Sequence, residues 1–372
     1  MVMIDDRQML AGQALDAAFE AADGAAAGLD HPLVGIFGHG APETLISASG
    51  AVPVHVNFGR LDGSGVRAID QLIEPFVDHE VRIFLNRFAA GAFTGFAGIV
   101  FVRDDAAALT AYQYATEWVR QGRAPRGTPP LFLFNLVHAA SDPVRTFNDI
   151  QIEKLVSFLT AIGLDDPEAG LAGATAQAVR RQRALERVSH SARGARAMVW
   201  RNAGRFLAPE RHADLLEAAI VEDASPPAPL RLGLVGSGLA SADAYAAFAG
   251  FGDIVCDLQP FGQIWPGPWE CEPSRATMRD LMAGDPFCLR ISPPQRHRQA
   301  MLDAIEAAKC DLVLCQLAQT DDTFGWEIPG LAKALQARDI GFVNLGFRDA
   351  VPGPAWIERA RKLIGQALET RP

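Results

Sequence analysis

Two glycine turns carry the residues whose types and spacing best suit chemistry. Gly38-His39-Gly40 follows the apolar run Leu33–Phe37 and precedes Pro42-Glu43. Histidine titrates near neutrality and can pass a proton to or from a carbonyl substrate, so His39 is a candidate acid or base. Glu43 can orient His39 or touch the ligand, although a first-turn glutamate also suits the helix dipole alone. A glycine turn leading into a helix start presents backbone N–H groups to a ligand, which makes Gly38 and Gly40 candidate binding residues. Gly236-Ser237-Gly238, after the apolar run 230–235, supplies three more candidate binding residues. With Ser241 it reads as half of a dinucleotide fingerprint, for which Asp257 would be the acid about twenty positions on. Any doubly wound domain needs such a turn, so the fingerprint is weaker than the turn itself.

Four aspartates, Asp104, Asp105, Asp321 and Asp322, stand where strands give way to helices. Together with His138 they offer oxygen and imidazole ligands for a hard metal ion. A helix N-cap or turn is the commoner use of aspartate at such positions. Three arginines, Arg290, Arg296 and Arg298, flank Pro293-Pro294 and can meet phosphates. Phe261, Trp265 and Trp269 lie in a Pro/Gly-rich stretch over 260–273, a composition that walls an apolar pocket or covers a partner surface. No G-x-S-x-G elbow, P-loop, H-E-x-x-H or paired-cysteine zinc pattern occurs, which argues against a hydrolase.

The elements that must hold these residues follow from periodicity. Residues 1–29 carry helical spacing (Leu10, Ala14, Leu15, Ala18), and alternation of strand and helix begins at about 30. Strands are expected at Leu33–Phe37, 52–56, 97–102 and 131–136, with helices at 43–49, 70–79 and 106–121. Strand signals vanish over 149–221, where 150–162 and 171–206 show helical spacing, and the prolines of 222–229 mark a linker. A second alternation fills 230–372, with strands at 230–235, Asp253–Asp257, 309–317 and 341–346 and helices at 240–248, 296–308, 327–337 and 354–369. The expected fold is α/β: two doubly wound, flavodoxin- or Rossmann-like parallel-sheet domains (30–148 and 230–372) joined by a helical connector. No residue-level repeat between the halves is evident. A ligand belongs at the carboxyl ends of the strands, in the crevice between the halves.

Composition sets the outer bounds. At 372 residues the chain exceeds one typical core. A net charge of −10 speaks against nucleic acid as a partner, and no apolar run reaches membrane-spanning length. Without a basic, then hydrophobic, start, the expected location is the cytoplasm. The five cysteines, Cys256, Cys271, Cys288, Cys310 and Cys315, form no C-x-x-C pair, and Cys310 and Cys315 read as small core residues.

The segment 35–53 also resembles a known family. Gly35, Phe37, Pro42, Glu43, Ala48, Gly50 and Pro53 fall in register with the G-x-F-C-x-x-x-P-E-E-hydrophobic-x-x-A-x-G-x-x-P segment of 2-hydroxyacyl-CoA dehydratase and benzoyl-CoA reductase subunits. Gly38 stands where that family often has cysteine, and Thr44 replaces the second glutamate. The segments 96–105, 131–138, 236–238 and 310–329 are similar to later family elements in order and spacing. Asp104 and Asp321 occupy, or adjoin, positions of the family's cluster cysteines. The resemblance implies a CoA thioester ligand, a homologous partner subunit and an ATP-dependent activator protein. It also implies a four-iron four-sulfur cluster, but carboxylates are poor substitutes for the soft thiolates that iron–sulfur clusters need. A cluster is therefore expected in the partner rather than in this chain. Three readings stay open: a cluster-free partner subunit that shapes the pocket or interface, an enzyme with a different metal in the crevice, and an acyl-CoA- or nucleotide-binding or scaffold protein without chemistry.

Overall fold

The computed structural model describes residues 6–26, 28–57, 65–104, 106–219, 230–260, 262, 272–287 and 292–369. The linker 222–229, Asp105, the Asp322 side chain, Phe261, Trp265, Trp269, Arg290, Cys271 and Cys288 lie outside the described residues.

The first half runs α1 (Asp6–Ala21), β1 (Leu33–Phe37), α2 (Glu43–Ala48), β2 (Val52–His55), α3 (Arg67–Asp70), α4 (His79–Ala89), β3 (Gly98–Val102), α5 (Ala106–Arg120) and β4 (Leu131–Phe134). Four helices follow: α6 (Asp142–Ala161), α7 (Pro167–Ser191), α8 (Gly194–Ala203) and α9 (Pro209–Ala219). The second half runs β5 (Arg231–Gly236), β6 (Asp253–Asp257), α10 (Arg275–Gly284), α11 (Pro294–Ala307), β7 (Leu312–Ala318), α12 (Asp322–Gln336), β8 (Gly341–Arg348) and α13 (Pro354–Glu369). All pairings are parallel, and the two four-stranded sheets share one topology, β2-β1-β3-β4 and β6-β5-β7-β8. The expected α/β class and pair of sheets are both present. Among the described residues no helix is long and apolar enough to cross a membrane.

The central strands read as continuous apolar runs because both faces are buried. Val34 and Ile36 of β1 join Val100 and Val102 on one face, while Phe37 joins Ile99 and Phe101 on the other. Two helices cross between the halves. Ala11 and Leu15 of α1 pack with Trp200 and Leu216 in the core under the second sheet. In return, Met278 and Leu281 of α10 enter the core of the first sheet beside Ile152 and Leu155. Each domain thus borrows a helix from the other half of the chain, which fixes the crevice between them.

Some expectations need correction. The helix expected over 70–79 is only the short α3, and Leu72 and Phe76 are exposed beyond it. Pro75 keeps Glu74 out of helical conformation, so the segment cannot run on as one helix to His79. The helix expected over 240–248 is a 3₁₀ segment, Ala242–Ala247. Helix α10 has no counterpart among the expected helices; it starts at Ser274, whose hydroxyl accepts from the Thr277 N–H at 3.0 Å. The helical spacing over 171–206 is divided at Ala192-Arg193, giving α7 and α8.

Gly38, directly after β1, and Gly236, the last residue of β5, have φ of +117° and +112°. A side chain on Gly236 would meet the Gln316 carbonyl at 1.9 Å, and one on Gly38 would meet Asp104 and Val102 at 3.0 Å. Gly40 has no positive φ, and an added methyl would make only ordinary contacts at 3.7 Å and beyond. Gly236→Ala is therefore expected to cost about 3 kcal/mol or more in urea denaturation. Gly40→Ala should stay within about 1 kcal/mol of the parent. Equal losses at the two positions would contradict this distinction.

Candidate functional site

The carboxyl ends of both sheets face one cavity of about 1030 Å³. Its floor is built from two equivalent devices. After β1, one Asp104 oxygen accepts the N–H groups of His39 and Gly40 at 2.6 and 2.8 Å. After β5, Asp321 accepts the Ser237 hydroxyl at 2.6 Å, and its other oxygen accepts the Phe324 N–H at 3.1 Å, capping α12. The Ser237 oxygen in turn accepts the Ala318 N–H at 2.8 Å. In each half, an aspartate after the third strand pins the G-x-G turn after the first, through charge-assisted hydrogen bonds. Phe37-Gly38-His39-Gly40 and Val235-Gly236-Ser237-Gly238 are thus a local repeat that inspection of the sequence overlooked.

This geometry revises the expected roles. The His39 and Gly40 N–H groups, expected to face a ligand, are taken by an internal carboxylate. Helix α2 has six residues, too short to carry an anion-binding dipole of its own. Gly38 packs against Asp104 and Val102, whereas His39, Gly40, Glu43, Gly236, Ser237 and Gly238 line the cavity. Among the described residues, no three His, Cys, Asp or Glu side chains are grouped to hold a metal ion. Asp104 and Asp321 serve the turns, and His138 lies in a small recess with Asp104 and Asp285. Burial, reinforced by nearby Arg296, pushes the His138 imidazole down to about 4, so it is neutral at physiological pH. Arg296 donates to the Gly284 carbonyl and Arg298 sits 3.8 Å from Glu327, so neither reaches the cavity. Cys310 and Cys315 are enclosed in the second domain's core, as expected.

The sequence leaves Glu43 three readings, as a partner of His39, as a ligand contact, or as a first-turn glutamate suited to the helix dipole alone. In the structure one of its oxygens meets His55 Nε2 at 3.1 Å and the other accepts from Arg181 of α7 at 2.8 Å. Arg205, just beyond α8, approaches His55 Nδ1 at 3.2 Å and donates to Asn202 at 2.7 Å. An arginine has only donors, so His55 Nδ1 accepts and Nε2 carries the proton toward Glu43. Burial lowers the His55 pKa, with Arg205 acting in the same direction, and keeps the ring neutral. Burial works to raise the Glu43 carboxyl, but Arg181 and the His55 hydrogen bond outweigh it and hold it well below the usual carboxylate range. Burial likewise brings Arg205 down to about 10, which leaves it protonated. The chain Arg181–Glu43–His55–Arg205 ties the first domain to the connector.

On the opposite wall Arg348, at the end of β8, donates to Gln316 and to the carbonyls of Gly238, Asp349 and Ala350. Burial pulls it down to about 10, against the favourable charge of Asp321. Gln316 bridges to Gln259, and Gln259 to Asp257 at 2.9 Å. Tyr245 donates to the other Asp257 oxygen at 2.6 Å. Burial pushes the Asp257 carboxyl up although these bonds oppose it. The acid of the dinucleotide fingerprint is therefore sealed inside the domain, away from any ribose.

Sequence reasoning missed His55, Arg181, Arg201, Arg205, Gln316 and Arg348. His55 and Arg348 were findable, because each is a polar group ending a strand of a parallel sheet, where ligands gather. The connector arginines carried no such signal among the many arginines of α7 and α8. Compared with the known protein families and with curated proteins, the chain matches none.

Removing the Glu43 charge leaves Arg181 without its carboxylate. Glu43→Gln is expected to cost roughly 2 kcal/mol in chemical denaturation, after allowance for partial exposure. Arg181→Met should cost less in the Glu43→Gln background than in the parent, with a coupling of about 1 kcal/mol. Strict additivity would show that the pair contributes nothing as a pair.

Proposed function

We propose that this chain binds a CoA thioester in the inter-domain cavity, as a subunit of a complex resembling 2-hydroxyacyl-CoA dehydratases or benzoyl-CoA reductases. The observation that supports the reading is a single cavity of about 1030 Å³ that meets the switch points of both doubly wound sheets at once. Its volume lies at the upper end of the range that encloses a drug-sized ligand, which suits a long, jointed molecule. The order of the sequence segments that resemble the family agrees with this reading. In it, His39 is the candidate acid or base at the thioester, while Glu43 holds the wall through Arg181 and His55. The electron chemistry belongs to a cluster-bearing homologous subunit served by an ATP-dependent activator, and this chain shapes the pocket and interface.

A second reading, acyl-CoA binding without chemistry, draws on the commitment of Glu43, Asp104 and Asp321 to structural bonds. The two separate experimentally. Titration calorimetry of the full chain with CoA and short acyl-CoA esters is expected to give saturable binding at one site. Co-expression with a cysteine-complete homologous subunit is expected to yield a complex whose turnover falls in His39→Ala while binding persists. Unchanged turnover would leave the chain as a binding subunit. No saturable binding of any CoA thioester would overturn both readings.

A further inference from the structure

Among the described residues five arginines line the cavity, and four of them are engaged by the protein itself. Arg87 is held by Asp23, Arg181 by Glu43, Arg205 by His55 and Asn202, and Arg348 by Gln316 and three carbonyls. The fifth, Arg201 on the last turn of α8, makes no hydrogen bond or ion pair with any described residue. Its side chain is half-buried, so water satisfies it only in part. The acid whose charge acts on it most strongly is Asp257, but the oxygens of that carboxylate are taken by Tyr245 and Gln259. Burial lowers the Arg201 pKa, with Asp257 opposing, and a guanidinium stays charged under such shifts.

A guanidinium offers five donors in a planar fork, and holding it partly desolvated without acceptors is unfavourable. The arrangement becomes favourable when a ligand brings the acceptors. Phosphate fits best, because its oxygens match the fork in pairs. The location agrees: Arg201 stands within charge reach of the carboxyl end of β6, next to β5 in the sheet. In doubly wound domains that rim is where the nucleotide part of a ligand lies.

We infer that Arg201 is the phosphate anchor of the cavity, holding the nucleotide end of a CoA thioester on the second domain while the thioester end extends toward His39. The inference rests on the CoA reading for the rest of the ligand, but the anchor itself can be tested apart from it. The full-length parent, Arg201→Met and Arg201→Lys are compared by titration calorimetry with CoA and with S-acetylpantetheine, which lacks phosphate. Thermal melts are recorded with and without pyrophosphate or glutarate.

Arg201→Met is expected to weaken CoA binding roughly tenfold or more, with Arg201→Lys intermediate. Acetylpantetheine should bind parent and variant alike. Pyrophosphate should raise the melting temperature of the parent and not that of Arg201→Met. Without ligand, Arg201→Met should melt at the parent temperature or above, because removing a partly desolvated guanidinium without acceptors outweighs the lost charge attraction of Asp257. CoA affinity within about twofold of the parent, or a lower ligand-free melting temperature, would overturn the inference in favour of a packing role. Stabilisation by glutarate instead of pyrophosphate would overturn the assignment to phosphate. If the parent ignores CoA yet responds to pyrophosphate through Arg201, the anchor stands and the CoA reading falls.

Discussion

The Asp104 carboxylate takes two adjacent backbone N–H groups from the turn after β1, and the shape of the crevice depends on this and its counterpart at Asp321. A G-x-G turn at the end of a parallel strand is strained toward positive φ and leaves donors pointing away from the sheet. In many doubly wound proteins a ligand's anion fills that concavity. Here the first domain fills it with its own carboxylate, which rigidifies the turn and removes it from the set of anion sites. Charge recognition must then come from elsewhere in the cavity, and the connector supplies arginines for it.

The connector is more than a spacer between two domains. Helix α8 packs Met198 and Trp200 under the second sheet, and Phe206 just beyond it joins Val52 and Val54 of β2. The same stretch places Arg201 and Arg205 on the cavity wall. With α1 and α10 exchanged between the halves, relative motion of the sheets would have to break hydrophobic cores as well as the Arg181–Glu43–His55–Arg205 chain. A crevice built this way is preorganised, so little binding energy is lost in closing it.

Much of the architecture was legible because it rests on local rules. Continuous apolar runs gave the buried strands, glycine turns gave their ends, and the loss of strand signal over 149–221 gave the connector. Helix limits were less legible where one residue overrode a pattern, as Pro75 does after α3. The site was readable only in its glycine turns. His39, Gly40 and Gly236-Ser237-Gly238 line the cavity, but the partners of Glu43 come from β2 and α7, outside its own segment. From sequence, Asp104 and Asp321 have two readings, as metal ligands from residue type and the resembled cysteine positions, or as helix caps and turn residues, and Asp321 does cap α12. Their actual neighbours are the N–H and hydroxyl donors of the turns, and only the three-dimensional pairing reveals that. Sequence spacing reports what a residue can offer; long-range packing decides whether the offer is already taken.

Under the proposed reading, the positions where the resembled family places soft cluster ligands hold internal struts in this chain, and the cavity remains as a place for a thioester. A structure of the protein crystallised with CoA tests this most directly. The account predicts CoA density within the cavity, with phosphate oxygens on the Arg201 side, the pantetheine arm running toward His39, and both G-x-G turns unmoved. CoA bound outside the cavity, or an Asp104 carboxylate displaced from its turn by a ligand phosphate, would contradict it.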